Sequence, residues 1–329
     1  MIITAAHGAG GQIMSELIRD IFARRFANRT LSQMEDAAVL RLPTRKIAFT
    51  TDSFVVSPLF FPGGDIGRMS VCGTVNDLSM RGAVPKYLSA GFILEEGLDI
   101  ELLERVAVSM RAAADEAGVR IVAGDTKVIE GSGGMYINTS GIGAIHTKRD
   151  IGAHNAVPGD AVIISGTLGS HHACILSARM NISNEIRSDC APINEMTRAL
   201  LRAGLSVHAM RDITRGGLAT ALHEIAEASG VRIILDGGVD YADEPVRGFC
   251  EILGLDPLYM GNEGKLALIL PHSEAREAVR VIRSCRYGES AMIVGQVRSG
   301  GEPGVVIQTR AGGTRRLGPL QGEGLPRIC

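Results

Sequence analysis

Segments with helical periodicity and segments with strand character alternate along the whole of this 329-residue chain, and that alternation confines it to helices layered on sheets. Ile13, Leu17, Ile18, Ile21 and Phe22 recur at helical spacing within 12–27, and 37–42 and 47–51 read as strands. Helices are predicted over 66–80 and 100–117, the second closed by Gly118 as a C-terminal cap, followed by strands 120–123 and 136–145. A turn at 155–160, containing Val157, Pro158, Gly159 and Asp160, precedes a strand over 161–165 and marks the expected domain boundary. The second half repeats the mixture, with helices near 171–180, 192–203, 216–229, 245–254 and 274–284. Its strands are expected near 206–210, 231–235, 266–270, 291–297 and 304–309. The chain therefore reads as mixed α/β in two domains, 1–154 and 155–310, with a loose glycine-rich tail over 311–329. At 45% hydrophobic residues it has the material for both cores.

Several function classes drop out. A net charge of −2, 4% aromatic residues and no Trp leave neither the basic footprint nor the stacking platform that nucleic acid requires. No apolar run approaches the roughly 20 residues of a bilayer span, and 1–11 lacks a signal-peptide pattern, so no membrane association and a cytoplasmic location are expected. Cys72, Cys174, Cys190, Cys250, Cys285 and Cys329 are scattered without a CxxC pair, which argues against a disulfide framework or a structural zinc site. His171 and His172 are neighbours that point in different directions; helix capping or a surface position is expected, not metal ligation.

Glycine and aspartate carry the chemical signal. Forty-one glycines are about 12% of the chain, against a usual ~7%. They cluster at Gly8, Gly10 and Gly11, at Gly63, Gly64 and Gly67, at Gly131, Gly133 and Gly134, and at Gly216 and Gly217. Such loops let backbone N–H groups approach an anion, yet no GxxxxGK[ST] is present and no GxGxxG follows a convincing strand. Asp36, Asp52, Asp77, Asp125 and Asp212 each lie beside an apolar stretch or a glycine, where an unpaired carboxylate is costly to desolvate. A single one needs no more than a turn or a helix cap to explain it. Five in this setting point to Mg²⁺ and a nucleotide polyphosphate, which would resolve the repulsion among converging carboxylates. Cys329, the last residue of the sequence, is badly placed for packing and suited to carrying a group between sites. From about Gly312 its tail spans about 25 Å on average and nearly 60 Å when stretched.

His7-Gly8-Ala9-Gly10-Gly11, Glu35-Asp36-Ala37-Ala38-Val39, Thr51-Asp52-Ser53, the Pro58 to Gly64 stretch, Val75-Asn76-Asp77, the Phe92 to Gly97 stretch, Gly124-Asp125-Thr126-Lys127, Asn262-Glu263-Gly264-Lys265 and the Pro326-Arg327-Ile328-Cys329 ending resemble the HypE family of hydrogenase maturation proteins. The acidic motifs are shared with the wider aminoimidazole ribonucleotide synthetase and selenophosphate synthetase superfamily; the Phe-Phe-Pro-Gly-Gly stretch and the ending are particular to HypE. The resemblance implies an aminoimidazole ribonucleotide synthetase-like fold and a homodimer whose N-terminal domains pair their sheets into a barrel. It implies that a carbamoyltransferase, HypF, loads a carbamoyl group onto Cys329, and that ATP with Mg²⁺ then dehydrates it to a thiocyanate. The cyano group would pass to iron on a HypC–HypD complex, for [NiFe] hydrogenase.

By the same resemblance Asp36, Asp52, Asp77 and Asp212 would hold magnesium and polyphosphate, while Gly10, Gly11, Asn76, Asp125 and Thr126 would line the nucleotide site. Lys127 would stabilise charge on the transferring phosphoryl group, or else be a surface lysine at a strand end. Glu263 would act as general base on the carbamoyl nitrogen, or else be a loop carboxylate paired with Lys265. Ala9 stands where this family is expected to have Ser, which removes one hydroxyl donor and leaves the backbone donors. Two other readings share parts of this pattern: a superfamily kinase of a small molecule, with no use for a terminal thiol, and a non-catalytic carrier that presents Cys329.

Overall fold

Acidic caps or glycine stops delimit several of the helices of the computed structural model, which describes residues 2–8, 12–33, 40, 42–44, 46–309 and 311–320. Helix α1 (Gln12–Leu17) runs on into a π-helical stretch, Ile18–Ala23, where a single helix was expected. Helix α2 (Ile66–Met80) starts at Asp65, whose carboxylate accepts the N–H groups of Gly67 and Arg68 at 2.7 and 3.0 Å. Helix α3 (Ile100–Ala117) is capped by Asp99 and ends, as expected, on Gly118 at φ 70°.

The first sheet joins β1 (Ile47–Phe54), β4 (Ala83–Glu95), β5 (Arg120–Ile129) and β6 (Met135–Ile145) in the order β1-β6-β4-β5, with β4 and β5 parallel and the rest antiparallel. A short hairpin, β2 (Phe60–Phe61) and β3 (Gly64–Asp65), leads into α2. Strand β4, central in this sheet, was not expected as a strand. Pro85 lies within it, and the ladder accommodates this proline by a register shift between Pro85 and Tyr87. Helix α2 packs on β1, β4 and β6, and α3 packs on α2, so one face of the sheet is covered. On the other face Phe49 is 66% exposed, and Ile47, Ile93 and Ile129 are exposed with it.

The second half builds on β7 (Asp160–Ile164), β8 (Ala209–Asp212), β9 (Arg232–Asp236), β10 (Leu266–Pro271), β11 (Met292–Arg298), β12 (Gly304–Gln308) and β13 (Thr314–Leu317), ordered β13-β12-β9-β11-β7-β10-β8. Helices α4 (Ser170–Arg179), α5 (Asn194–Arg202), α6 (Gly217–Ser229), α7 (Glu244–Leu253) and α8 (Ala275–Arg283) complete it. Ile164, Ile233 and Ile269 pack under α6, and Ile163, Leu268 and Leu270 pack under α5 and α8. Both faces are therefore buried, and β7 is buried at every position. The expected loose run from 311 is shortened, because Thr314–Leu317 pairs with β12 as an edge strand. Its sequence, Thr-Arg-Arg-Leu, holds a single apolar residue and shows no alternation from which a strand could be read.

One apolar cluster crosses between the halves, joining Val71, Cys72 and Val75 on α2 to Ala173 and Ile175 on α4 and Cys250 on α7. Five cysteines, Cys72, Cys174, Cys190, Cys250 and Cys285, are free and buried. His171 and His172 are also buried, at 1% and 4% exposure, which corrects their expected capping or surface role. His171 Nδ1 lies 2.8 Å from Ser188 Oγ, and its ring meets Phe61 edge-on. Burial lowers both imidazoles to about 4, so they are neutral packing groups near pH 7.

Candidate active site

Sheet register decides which acidic groups meet. Gly91, Asn138 and Ser53 form a row across β4, β6 and β1, and Asp125 on β5 pairs with Gly91. The next row, Ala90, Thr139 and Asp52, points to the opposite face, where Ala90 and Thr139 are buried under α2. Asp52 therefore faces the helix and Asp125 faces away from it. Asp77, on α2, comes within hydrogen-bond reach of the same strand, accepting from Thr50 Oγ1 at 3.0 Å. Asp212, at the end of β8, arrives from the other half of the molecule.

These three meet in a cavity of about 700 Å³ between the halves, lined also by Ser53, Thr214, Arg215, Arg179 and Glu263. Its electrostatics follow from burial without ion pairing. Burial raises the Asp52 carboxyl, and burial together with the nearby Asp52 raises Asp77, against the Thr50 hydrogen bond. Asp212 is pushed up to about 7, first by burial and then by Asp77. Glu263 is raised well above the usual carboxylate range by burial, with Asp189, Asp212 and Asp52 adding to it. Four carboxyl groups that resist ionisation together form a site in want of positive charge.

Magnesium fits this arrangement in one particular way. Among the described residues no three His, Cys, Asp or Glu side chains are close enough to cage an ion by themselves. Mg²⁺ ordinarily takes one or two carboxylates and completes its octahedron with phosphate oxygens and water. Asp52, Asp77 and Asp212 suit that division of ligands.

The remaining predicted residues fall elsewhere. Asn76 does not line the cavity. It is buried in a clamp, where Nδ2 donates to the carbonyls of Ala191 at 3.1 Å and Glu263 at 3.4 Å, and Oδ1 accepts the N–H of Ile193 at 2.9 Å. Thr126 is buried on the covered face of its sheet. Lys127 stands on the open face, donating to both oxygens of Asp125 at 2.8 and 2.7 Å, and this hydrogen-bonded cation lowers the Asp125 carboxyl. Lys265 pairs with Asp189 at 3.6 Å and not with Glu263. Asp36, Gly10, Gly11 and Cys329, together with the Ala9 position, lie outside the described residues.

Two groups were missed by sequence reasoning. Arg215 sits inside the motif that singled out Asp212, so its signal was present; Arg179 comes from the end of α4, where no pattern pointed to it.

Residues 34–145 match the family described as AIR synthase related protein, N-terminal domain, and 157–308 match AIR synthase related protein, C-terminal domain. The carbamoyl dehydratase HypE of Rhodobacter capsulatus is 45% identical over 337 aligned residues, covering 99% of this chain and 98% of that protein. This chain belongs to the HypE family. A crystal structure of the hydrogenase maturation protein HypE in complex with ATP superimposes with a TM-score of 0.95, at 48% identity and over 99% of both chains. A HypE–HypF complex matches with a TM-score of 0.81 at 45% identity, covering 92% of this chain and 99% of that one. The chain thus has a two-domain, mixed α/β fold of the aminoimidazole ribonucleotide synthetase type, and residues of both halves line its carboxylate cavity.

Proposed function

We propose that this protein is an ATP-dependent dehydratase that converts an S-carbamoyl group on Cys329 into a thiocyanate, the source of cyanide ligands for [NiFe] hydrogenase iron. The observation that carries this reading is the convergence of Asp52, Asp77, Asp212 and Glu263 on one interdomain cavity, in a chain whose relatives are named carbamoyl dehydratases. Asp52, Asp77 and Asp212, with Asp36, would hold Mg²⁺. When bound, the ion neutralises the charge of the polyphosphate. Gly10 and Gly11 would supply backbone donors to the phosphates.

Reach is compatible with the scheme. The Leu320 N–H donates to Thr220 Oγ1 at 3.2 Å, in the first turn of α6 and close in sequence to Arg215 in the cavity wall. Residues 321–329, fully extended, add at most about 30 Å beyond that point. In its ionised form Glu263, whose environment raises its affinity for a proton, would accept one from the carbamoyl nitrogen as the amide oxygen takes the γ-phosphoryl group of ATP and ADP leaves. Breaking the C–O bond then expels phosphate, and loss of the second N–H proton leaves the nitrile on sulfur.

Asp125 and Lys127 face away from this cavity, so one protomer cannot bring them to its own nucleotide. Two copies with their open β1-β6-β4-β5 faces packed together would cover Phe49, Ile47, Ile93 and Ile129, and would bring Lys127 to the interface between them. That pairing is the homodimer of this proposal. A HypF-type carbamoyltransferase loads the thiol and a HypC–HypD iron complex receives the cyano group. The setting is cytoplasmic; among the described residues no helix is long and apolar enough to cross a membrane.

Mass spectrometry of the C-terminal peptide tests the reaction. After enzymatic carbamoylation, addition of ATP and Mg²⁺ is expected to remove the mass of one water from the Cys329 peptide. ATP turnover that leaves the carbamoyl mass unchanged would refute the assignment.

A further inference from the structure

Glu263 lies in a bend between the short helix Pro257–Tyr259 and β10, outside any regular element, so its own backbone ladder cannot place it. A strap of residues 189–191 does so. Asp189 Oδ1 accepts the Glu263 N–H at 3.0 Å, and the Ala191 N–H donates to the Glu263 carbonyl at 3.3 Å. The two segments are pressed so closely that a Cβ on Gly264 would lie 2.0 Å from the Asp189 carbonyl oxygen. Asn76 secures the strap from α2 through the carbonyl of Ala191 and the N–H of Ile193.

The second Asp189 oxygen, Oδ2, is buried and makes no hydrogen bond, and the side chain is only 6% exposed. Its nearest cation is the Lys265 ammonium at 3.6 Å, on a side chain that lies over Gly166. Leaving a carboxylate oxygen buried and without a donor is costly, and a neutral residue of similar shape would avoid that cost. The Lys265 ammonium, itself only 12% exposed, is the charge that answers it.

We propose that Asp189 is a positioning residue of the dehydration site, its Oδ1 fixing the Glu263 backbone while Lys265, acting on Oδ2, holds that carboxylate in the one rotamer that reaches it. The proposal rests on the base role given to Glu263 above. Asp189 touches neither the nucleotide carboxylates nor the thiol in this scheme; it lines a neighbouring cavity of about 750 Å³ with Lys265 and Arg187. A displacement of Glu263 by about 1 Å would be felt in the chemical step and not in nucleotide binding.

The full chain, carbamoylated on Cys329 by a HypF-type carbamoyltransferase, is mixed with ATP and Mg²⁺, and loss of water is followed through a single turnover. Asp189→Ala is expected to slow that step about 100-fold while ATP affinity stays within about two-fold. Asp189→Asn keeps an oxygen for the Glu263 N–H but turns its NH₂ toward Lys265, and is expected to lose about ten-fold. Adding Lys265→Met removes the opposed donor and is expected to return the rate to within about three-fold of wild type. Wild-type speed in Asp189→Ala, a parallel loss of ATP affinity, or no recovery in the Asp189→Asn, Lys265→Met pair would overturn the positioning role. If Asp189→Ala does not fold, the near-isosteric pair decides alone. A wild-type chain that loses no water sinks the dehydratase reading itself, whereas an active wild type with equally active variants sinks only the role of Asp189.

Discussion

Asp52 and Asp125 occupy strands of the same four-stranded sheet and face opposite ways. On the open face Asp125 has a lysine within 2.7 Å and its carboxyl is held below the ordinary value. On the covered face Asp52 meets Asp77 and Asp212 with no ion pair among the described residues, and all three are raised. The open-face group is satisfied within one protomer. The covered-face groups store repulsion that a bound cation would relieve, which is how a binding site differs from a surface ion pair.

The largest effect should come from removing that stored charge. Asp77→Asn and Asp212→Asn are each expected to weaken Mg²⁺–ATP binding by about 100-fold in calorimetry while raising the melting temperature of the nucleotide-free protein. Opposite signs for binding and stability distinguish a functional carboxylate from a structural one. If both quantities fall together, the contrast between the two faces is wrong.

Next in size is the open face itself. Phe49→Lys places a charge in the middle of the exposed apolar surface, and in sedimentation the variant is expected to be a monomer and the wild type the proposed dimer. A monomeric wild type would remove the barrel from the scheme.

A smaller effect concerns pH. Asp212 holds its proton to about 7 in the fold, against 3.8 for the ordinary carboxyl. Between those values the unfolded chain has released the proton and the folded chain retains it, so raising the pH lowers the stability of the nucleotide-free protein. Mg²⁺ needs the ionised form, so stabilisation by Mg²⁺–ATP should grow several-fold as pH rises from 6 to 8. Asp212→Asn should flatten that dependence.

How much of this was legible in the sequence differs by region for physical reasons. The second half read well because its strands are short, buried on both faces and bounded by turns, so Ala161, Val162, Ile163 and Ile164 stand out as an apolar run. Strand β4 was missed because Pro85, Lys86, Ser89 and Gly91 break the apolar pattern; three partner elements, not its own propensity, make it a strand. Asp52, Asp77 and Asp212, singled out as carboxylates beside apolar stretches or glycines, come together in one cavity, whereas Asp125, singled out by the same signal, lies on the exposed face. Which face Asp125 and Lys127 would take was not legible, since it depends on a register shift between Leu88 and Ser89 on β4. The family resemblance placed Asn76 in the nucleotide site, but adjacent helical positions point about 100° apart, and of Asn76 and Asp77 only Asp77 faces the cavity.

The smallest expected effect is the sharpest test of the contrast. Asp125 and Lys127 are each more than 60% exposed, so solvent screens their pairing, and Asp125→Asn should change unfolding free energy by less than ~1 kcal/mol. A purely structural ion pair would have no further consequence. If Lys127 works across a dimer interface, the same substitution also frees its ammonium from an intramolecular partner while leaving it on the same strand. The dehydration rate would then move several-fold while the melting temperature stays put. A change in rate that vanishes in the Phe49→Lys background would tie the effect to the neighbouring protomer, because in a monomer the Lys127 ammonium faces only water.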